Sequence, residues 1–233
     1  LSNYFFSYEF IRNFPFWLLI LIGTIVTILV NDKYGPGIFR KFLLGQYFKP
    51  TTEERIFMFL DLKGSTAIAE RLGESKYFRF LQAVYKDITP VVLKRKAEVY
   101  QYVGDEIVLS WNKTRGVSEL NCIRCFFEIR SLLQKLAPQY ESQFGQVPRF
   151  KAGIHLGKVT VGEIGVIKRD IAYSGDVLNT TARIQAKCNE LGTELLFSKA
   201  LFDILPKGQI VPELIGTVEL RGKKEEISLY TAQ

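Results

Sequence analysis

Soft metal ligands are nearly absent: the 233-residue chain holds one histidine, His155, and three cysteines, Cys122, Cys125 and Cys188. That set is too small for a structural zinc site, and three thiols cannot make a disulfide framework. Any metal chemistry would have to use oxygen ligands. Low-complexity tracts are missing as well, and with 47% hydrophobic and 24% charged residues the composition excludes disorder as the main state. Tyrosines and phenylalanines are scattered rather than gathered on a basic segment, so base stacking has no platform and nucleic acid is not an expected partner. The net charge of +7 suits anionic lipid or a polyphosphate but decides nothing by itself.

What the chain does have is a long uncharged run. Residues 14–30 carry no charge, and about 17 to 25 apolar residues suffice to cross a bilayer. The alternative of a buried core helix fits poorly, because such helices are rarely apolar on every face. A signal peptide would need a basic n-region and a small-residue cleavage site, and neither is present. A first residue of Leu1 rather than Met reads as a fragment of a longer chain. Lys33, Arg40, Lys41, Lys49 and Arg55 follow the run while only Arg12 precedes it nearby, which places the C-terminal side in the cytoplasm. The expected organisation is a transmembrane segment with its flank at 1–31, a juxtamembrane connector at 32–52 containing Gly35-Pro36-Gly37, and a soluble domain at 53–233.

In that domain short apolar strands alternate with amphipathic helices. Residues 56–60 read as a buried strand ending at Asp61, and 65–95 as largely helical. Residues 98–103 and 107–111 form a hairpin around Gly104-Asp105-Glu106; 117–136 return to helical spacing and 150–155 to a strand. The order β-α-β-β-α-β is the ferredoxin-like unit, so the fold class is α+β. Segments at 158–163, a helix from about Val177 to Asn189 and strands near 209–230 extend it. His155 reads as a strand-end residue, and Cys122 and Cys125 as core or surface thiols without a metal role.

The ferredoxin-like path brings the end of the first strand and the hairpin tip to one sheet edge. Asp61 and Asp105, 44 positions apart, should therefore converge. Converging carboxylates with open positions suit Mg²⁺ or Mn²⁺, which complete their shells with substrate phosphate. The segment Leu62-Lys63-Gly64-Ser65-Thr66 follows at a helix start, where free N–H groups accept phosphate, giving Gly64, Ser65 and Thr66 that role. Taken singly, Asp61 is equally a helix N-cap and Asp105 a turn residue beside glycine.

These residues resemble the class III nucleotidyl cyclases, the adenylate and guanylate cyclase family, over about residues 53–232. Phe59-Leu60-Asp61-Leu62-Lys63-Gly64-Ser65-Thr66 is similar to the family's first metal motif and Tyr102-Val103-Gly104-Asp105-Glu106 to its second. Gly153-Ile154-His155-Leu156-Gly157-Lys158-Val159 resembles the segment supplying a basic phosphate ligand, here Lys158. Gly175-Asp176-Val177-Leu178-Asn179-Thr180-Thr181-Ala182-Arg183 resembles the helix whose Asn orients the ribose and whose Arg contacts the reacting phosphate. Leu220-Arg221-Gly222-Lys223 resembles the loop reaching the terminal phosphates, with Arg221 and Lys223 both open to that role. The resemblance implies two Mg²⁺ or Mn²⁺ ions per site on Asp61, Asp105 and the Leu62 backbone, catalytic Asn179 and Arg183, and a homodimer sharing the site. It implies a nucleoside triphosphate substrate, ATP first, cyclised to a 3′,5′-cyclic nucleotide and pyrophosphate. The purine-selecting positions fall on Gln101 and Ala172, both atypical for the family, which leaves GTP and pyrimidine triphosphates open. A diguanylate-cyclase-like palm enzyme and a catalytically silent membrane signalling module are the alternative readings.

Overall fold

The computed structural model describes residues 8–34, 49–167, 170–219 and 226–232. Two compact units divide the chain: one gathers the residues up to Pro50 with 162–171, and the other holds 51–161 with 172–233.

In the first unit, helix α1 (Tyr8–Tyr34) carries a 19-residue stretch, Arg12–Val30, of mean hydropathy 2.2 with none of it buried. Among the described residues it is the one helix long and apolar enough to cross a membrane, judged by length and composition. Two of its hydroxyls bond back to the helix backbone. The hydroxyls of Thr24 and Thr27 donate to the carbonyls of Ile20 and Gly23 at 2.9 and 2.7 Å, so neither needs water.

The second unit follows the expected path with different boundaries. Its elements run β1 (Thr51–Leu62), α2 (Ser65–Leu72), α3 (Glu74–Lys94), β2 (Glu98–Val103), β3 (Glu106–Asn112), a short α4 (Lys113–Val117) and α5 (Asn121–Lys135). They continue with α6 (Ala137–Phe144), β4 (Phe150–Ile164), β5 (Asp170–Ser174), α7 (Asp176–Glu190), β6 (Leu195–Ser198), α8 (Lys199–Phe202), β7 (Pro212–Glu219) and β8 (Glu226–Ala232). The strand order is β2-β3-β1-β4-β6-β8-β7, with β5 on β4. Both β3 and β4 lie antiparallel to β1, so the first four strands keep the ferredoxin-like arrangement and the α+β class holds.

Strand alternation splits the sheet into two faces. Ile56, Met58, Leu60 and Leu62 turn to a continuous core with Ile107, Leu109, Trp111, Ala152 and Ile154 of the neighbouring strands, closed by α3, α5 and α6. Phe57, with Val108 and Val159, packs on the other side beneath α7. Helix α7 buries Val177, Thr180, Thr181, Ile184, Gln185 and Cys188, a stripe at three- and four-residue spacing. It comes so close to β4 that a Cβ on Gly153 would fall 2.4 Å from the Gln185 backbone nitrogen. Only glycine fits there.

Residues 65–95 are largely helical as expected, in two helices that meet at Gly73. Several expectations need correction. The segment 158–163 is not a separate element but the second half of β4, because its pairing with β1 runs unbroken from Leu62↔Phe150 to Thr51↔Val161. His155 is accordingly mid-strand, opposite Phe57, with Nδ1 2.7 Å from Ser198 Oγ. Glu106 belongs to β3 rather than to the turn. Arg55, counted above among basic residues flanking the apolar run, is only 2% exposed and binds Glu53 at 3.1 Å and Ser110 at 2.9 Å. Cys122, Cys125 and Cys188 are all buried.

Candidate active site

At the end of β1, Asp61 pairs with Glu106 on β3 and with Lys151 on β4. The β2–β3 turn holds Asp105 at the same end, and Gly104 makes the tight connection possible with φ of 62°. The Tyr85 hydroxyl donates to the Gly104 carbonyl at 3.1 Å and fixes the tip from α3. Two carboxylates from opposite ends of a 44-residue loop are thus neighbours.

Burial and, after it, the nearness of like charges act on the acidic groups at this end of the sheet. Burial pushes the Asp61 carboxyl above its ordinary value, Lys151 opposes that rise, and Asp105 adds to it. Burial first, then the charges of Asp61 and Asp105, push Glu106 up to about 7. The Tyr77 hydroxyl is raised by burial and by Asp105 and Asp61. The site therefore favours positive charge.

The donors are all oxygens, which fits Mg²⁺ or Mn²⁺ and not a softer metal. Among the described residues no three His, Cys, Asp or Glu side chains close around one point. A two-carboxylate site open to a main-chain carbonyl and to substrate phosphates is consistent with that. Leu62 lies next to Asp61 in the β1–β4 ladder, opposite Phe150. Gly64 caps α2, whose first turn presents the N–H groups of Ser65 and Thr66 without intrahelical acceptors.

The structure brings Asp61, Leu62, Gly64, Ser65, Thr66 and Asp105 to one end of the sheet, and leaves other expected residues elsewhere. Asn179 is exposed and Arg183 half-buried on α7. Gln185, on the buried stripe of the same helix, is the residue that reaches Asp61, with Nε2 donating to Oδ2 at 2.9 Å. At about 100° per residue, Arg183 points nearly opposite to Gln185 and Asn179 lies about a third of a turn from it. Within one chain neither shares the direction in which Gln185 reaches Asp61. Lys158 sits opposite Glu54, seven positions along β4 from Lys151 and so about 23 Å along the strand. Next to Gln101 on β2 and Ala172 on β5, the rings of Tyr100 and Tyr173 meet edge-on at 4.9 Å, and the Tyr173 N–H points to the Tyr100 hydroxyl at 3.4 Å. Arg221 and Lys223 lie outside the described residues.

Sequence reasoning overlooked Lys151 and Gln185, the two groups touching Asp61. Lys151 Nζ lies 3.0 Å from Asp61 Oδ2. Its signal was weak: parity with Gly153 and His155 puts it on the α7 side, but only the register puts it opposite Asp61. A cavity of about 330 Å³ between Phe126, Leu133, Val147 and Phe150 contains none of the expected site residues.

The family described as "Adenylate and Guanylate cyclase catalytic domain" matches residues 48–232. The chain is 35% identical to "Adenylate cyclase 2" of Rhizobium meliloti (strain 1021), over 94% of its own length and 61% of that protein. It is 25% identical to "Adenylate cyclase" of Anabaena cylindrica, over 77% of its length and 37% of that protein. It thus spans less than two thirds of the length of each of these curated relatives. Among solved structures, a bacterial light-regulated adenylyl cyclase superposes with a TM-score of 0.80 at 20% identity, covering 98% of this chain and 67% of that one. The guanylyl cyclase Cya2 superposes at 0.68 with 19% identity, covering 78% and 92%. At such identities the likeness is one of fold, shared by enzymes named for either purine.

Proposed function

The chain belongs to the adenylate and guanylate cyclase catalytic-domain family, and from that premise we propose that it cyclises a nucleoside triphosphate, ATP first, to the 3′,5′-cyclic monophosphate with release of pyrophosphate. The observation that carries the reading is the meeting of Asp61 with the hairpin bearing Asp105, where oxygen donors and acidic crowding call for divalent cations beside a phosphate-accepting helix start.

Asp61, Asp105 and the Leu62 carbonyl would hold Mg²⁺ or Mn²⁺. Bound there, two such ions acidify the ribose 3′-hydroxyl and neutralise charge on the triphosphate. The N–H groups of Ser65 and Thr66, with Gly64 permitting close approach, accept phosphate oxygens. Asn179 orients the ribose, Arg183 stabilises charge growing on the α-phosphate, and Lys158 with Arg221 or Lys223 neutralises the departing pyrophosphate. Gln101 and Ala172 meet the base.

Because Asn179 and Arg183 do not share the direction in which Gln185 reaches Asp61 from α7, the site is assembled from two copies, each supplying what the other lacks. Residues 1–31 anchor the dimer in a membrane, 32–52 connect, and 53–233 form the catalytic domain on the cytoplasmic side; the apolar character of α1 supports that anchor.

The test is to incubate the purified chain with Mn²⁺ and each of four nucleoside triphosphates and to separate the products by chromatography. A cyclic nucleotide must appear. Mixing inactive Asp61→Ala and Arg183→Ala chains should then restore about a quarter of wild-type activity, since half the dimers are mixed and one of their two sites is intact. No recovery despite subunit exchange would return the site to a single chain.

A further inference from the structure

Two donors from different elements end on one oxygen of Asp61. The Lys151 ammonium lies 3.0 Å from Oδ2, and the Gln185 amide donates to that same Oδ2 at 2.9 Å. Neither is a wandering surface group. The Lys151 side chain is 13% exposed and Gln185 is 7% exposed. Lys151 is the direct cross-strand neighbour of Asp61. Gln185 is held because its own backbone rests on Gly153, where a Cβ would already collide. Fixing one oxygen of a carboxylate fixes the direction of the other.

We propose that Lys151 and Gln185 are positioning residues for the metal carboxylate: they retain Oδ2, turn Oδ1 of Asp61 toward the cation, and make Lys151 the resident positive charge against which a divalent ion binds. The inference rests on the reading of Asp61 as a metal ligand. It gives the two residues opposite effects. The Gln185 amide is neutral, so it restrains the carboxylate without repelling a cation, and its loss weakens binding. The Lys151 ammonium restrains and also repels, and at this range unlike its neutral partner it lowers cation affinity, so its loss strengthens binding. A residue serving packing alone would weaken binding at both positions or at neither.

The experiment titrates the whole chain in detergent micelles with Mn²⁺, without nucleotide and at about pH 8.5, where the carboxylates are ionised, reading free Mn²⁺ by electron paramagnetic resonance. Lys151→Met should bind Mn²⁺ about tenfold more tightly, Lys151→Arg should stay near wild type, and Gln185→Leu should bind about fivefold more weakly. Asp61→Asn should lose the site. Mn²⁺ binding unchanged in Asp61→Asn would overturn the metal reading itself. Binding lost in Asp61→Asn but unchanged or weaker in Lys151→Met, or unchanged in Gln185→Leu, would overturn this inference alone. Should Lys151→Met show no cooperative melt, Lys151→Gln, polar and closer in shape, carries the same expectation of tighter binding.

Discussion

On one face of the sheet β1 contributes Ile56, Met58, Leu60 and Leu62, none more than 1% exposed, all part of one continuous apolar cluster. On the other face the same strand contributes Arg55, Phe57, Phe59 and Asp61, and the neighbours include Glu98, Ser110, Glu106, Lys151 and Gln185. Successive residues of one strand thus serve separate ends. The first face is closed by three helices and excludes water from a core that supplies stability. The second is covered by α7 and carries polar pairs: Arg55 meets Glu53, Ser110 and the ring of Tyr173 at 4.9 Å, and Asp61 meets Lys151 and Gln185. A period of two is enough to keep a rigid foundation and a charged site one residue apart.

The comparison can be broken most sharply at Asp61 and Asp105, the carboxylates proposed to hold metal. Asp61→Asn and Asp105→Asn should each lower turnover by about a thousandfold or more while the thermal melt stays near that of wild type, because an amide cannot neutralise a divalent ion. Near-wild-type activity in either variant would remove that residue from the metal site. Next comes Gly153→Ala, which forces α7 off β4. A loss of about 1–3 kcal/mol in denaturant melts should accompany a fall in activity of at least about tenfold, since Gln185 and the Asn179–Arg183 face ride on the same helix. Stability lost with specific activity intact would uncouple α7 from the site.

Smaller changes sharpen the contrast. Gln101 opposes Val108, on the α7 side of the sheet, and its amide presents both a donor and an acceptor to a base. Measurable turnover of both ATP and GTP should follow, and Gln101→Lys should shift the ratio of their kcat/KM values about tenfold toward ATP, the worth of one hydrogen bond of about 1.4 kcal/mol. A wild-type preference of several thousandfold would place base reading elsewhere. On the closed face, Met58→Ala should cost about 2–5 kcal/mol of stability and leave activity per folded molecule unchanged. A selective loss of kcat there would mean that the two faces are not independent.

Much of the candidate site was legible because its parts are local. Asp61 ends an apolar run, Gly104-Asp105 is a hairpin dipeptide, and Asn179 and Arg183 are four apart on one helix. Strand lengths were less legible. An alternating pattern does not say where a strand stops when both its faces are covered, so β4 was read as two pieces instead of one strand of 15 residues. Arg55 looked like a basic flank, because burial of a guanidinium depends on Glu98 and Ser110, residues distant in the chain.

The sequence by itself determined the α+β order, the apolar helix and the two aspartates, since hydrophobic period, turn chemistry and short motifs are properties of neighbouring residues. Only the tertiary structure decided that Lys151 and Gln185 meet at one oxygen of Asp61 and that Asn179 and Arg183 do not share the direction in which Gln185 reaches it. A strand register and a helix's rotation are set by packing across the whole sheet, here by the bare Gly153 on which α7 rests.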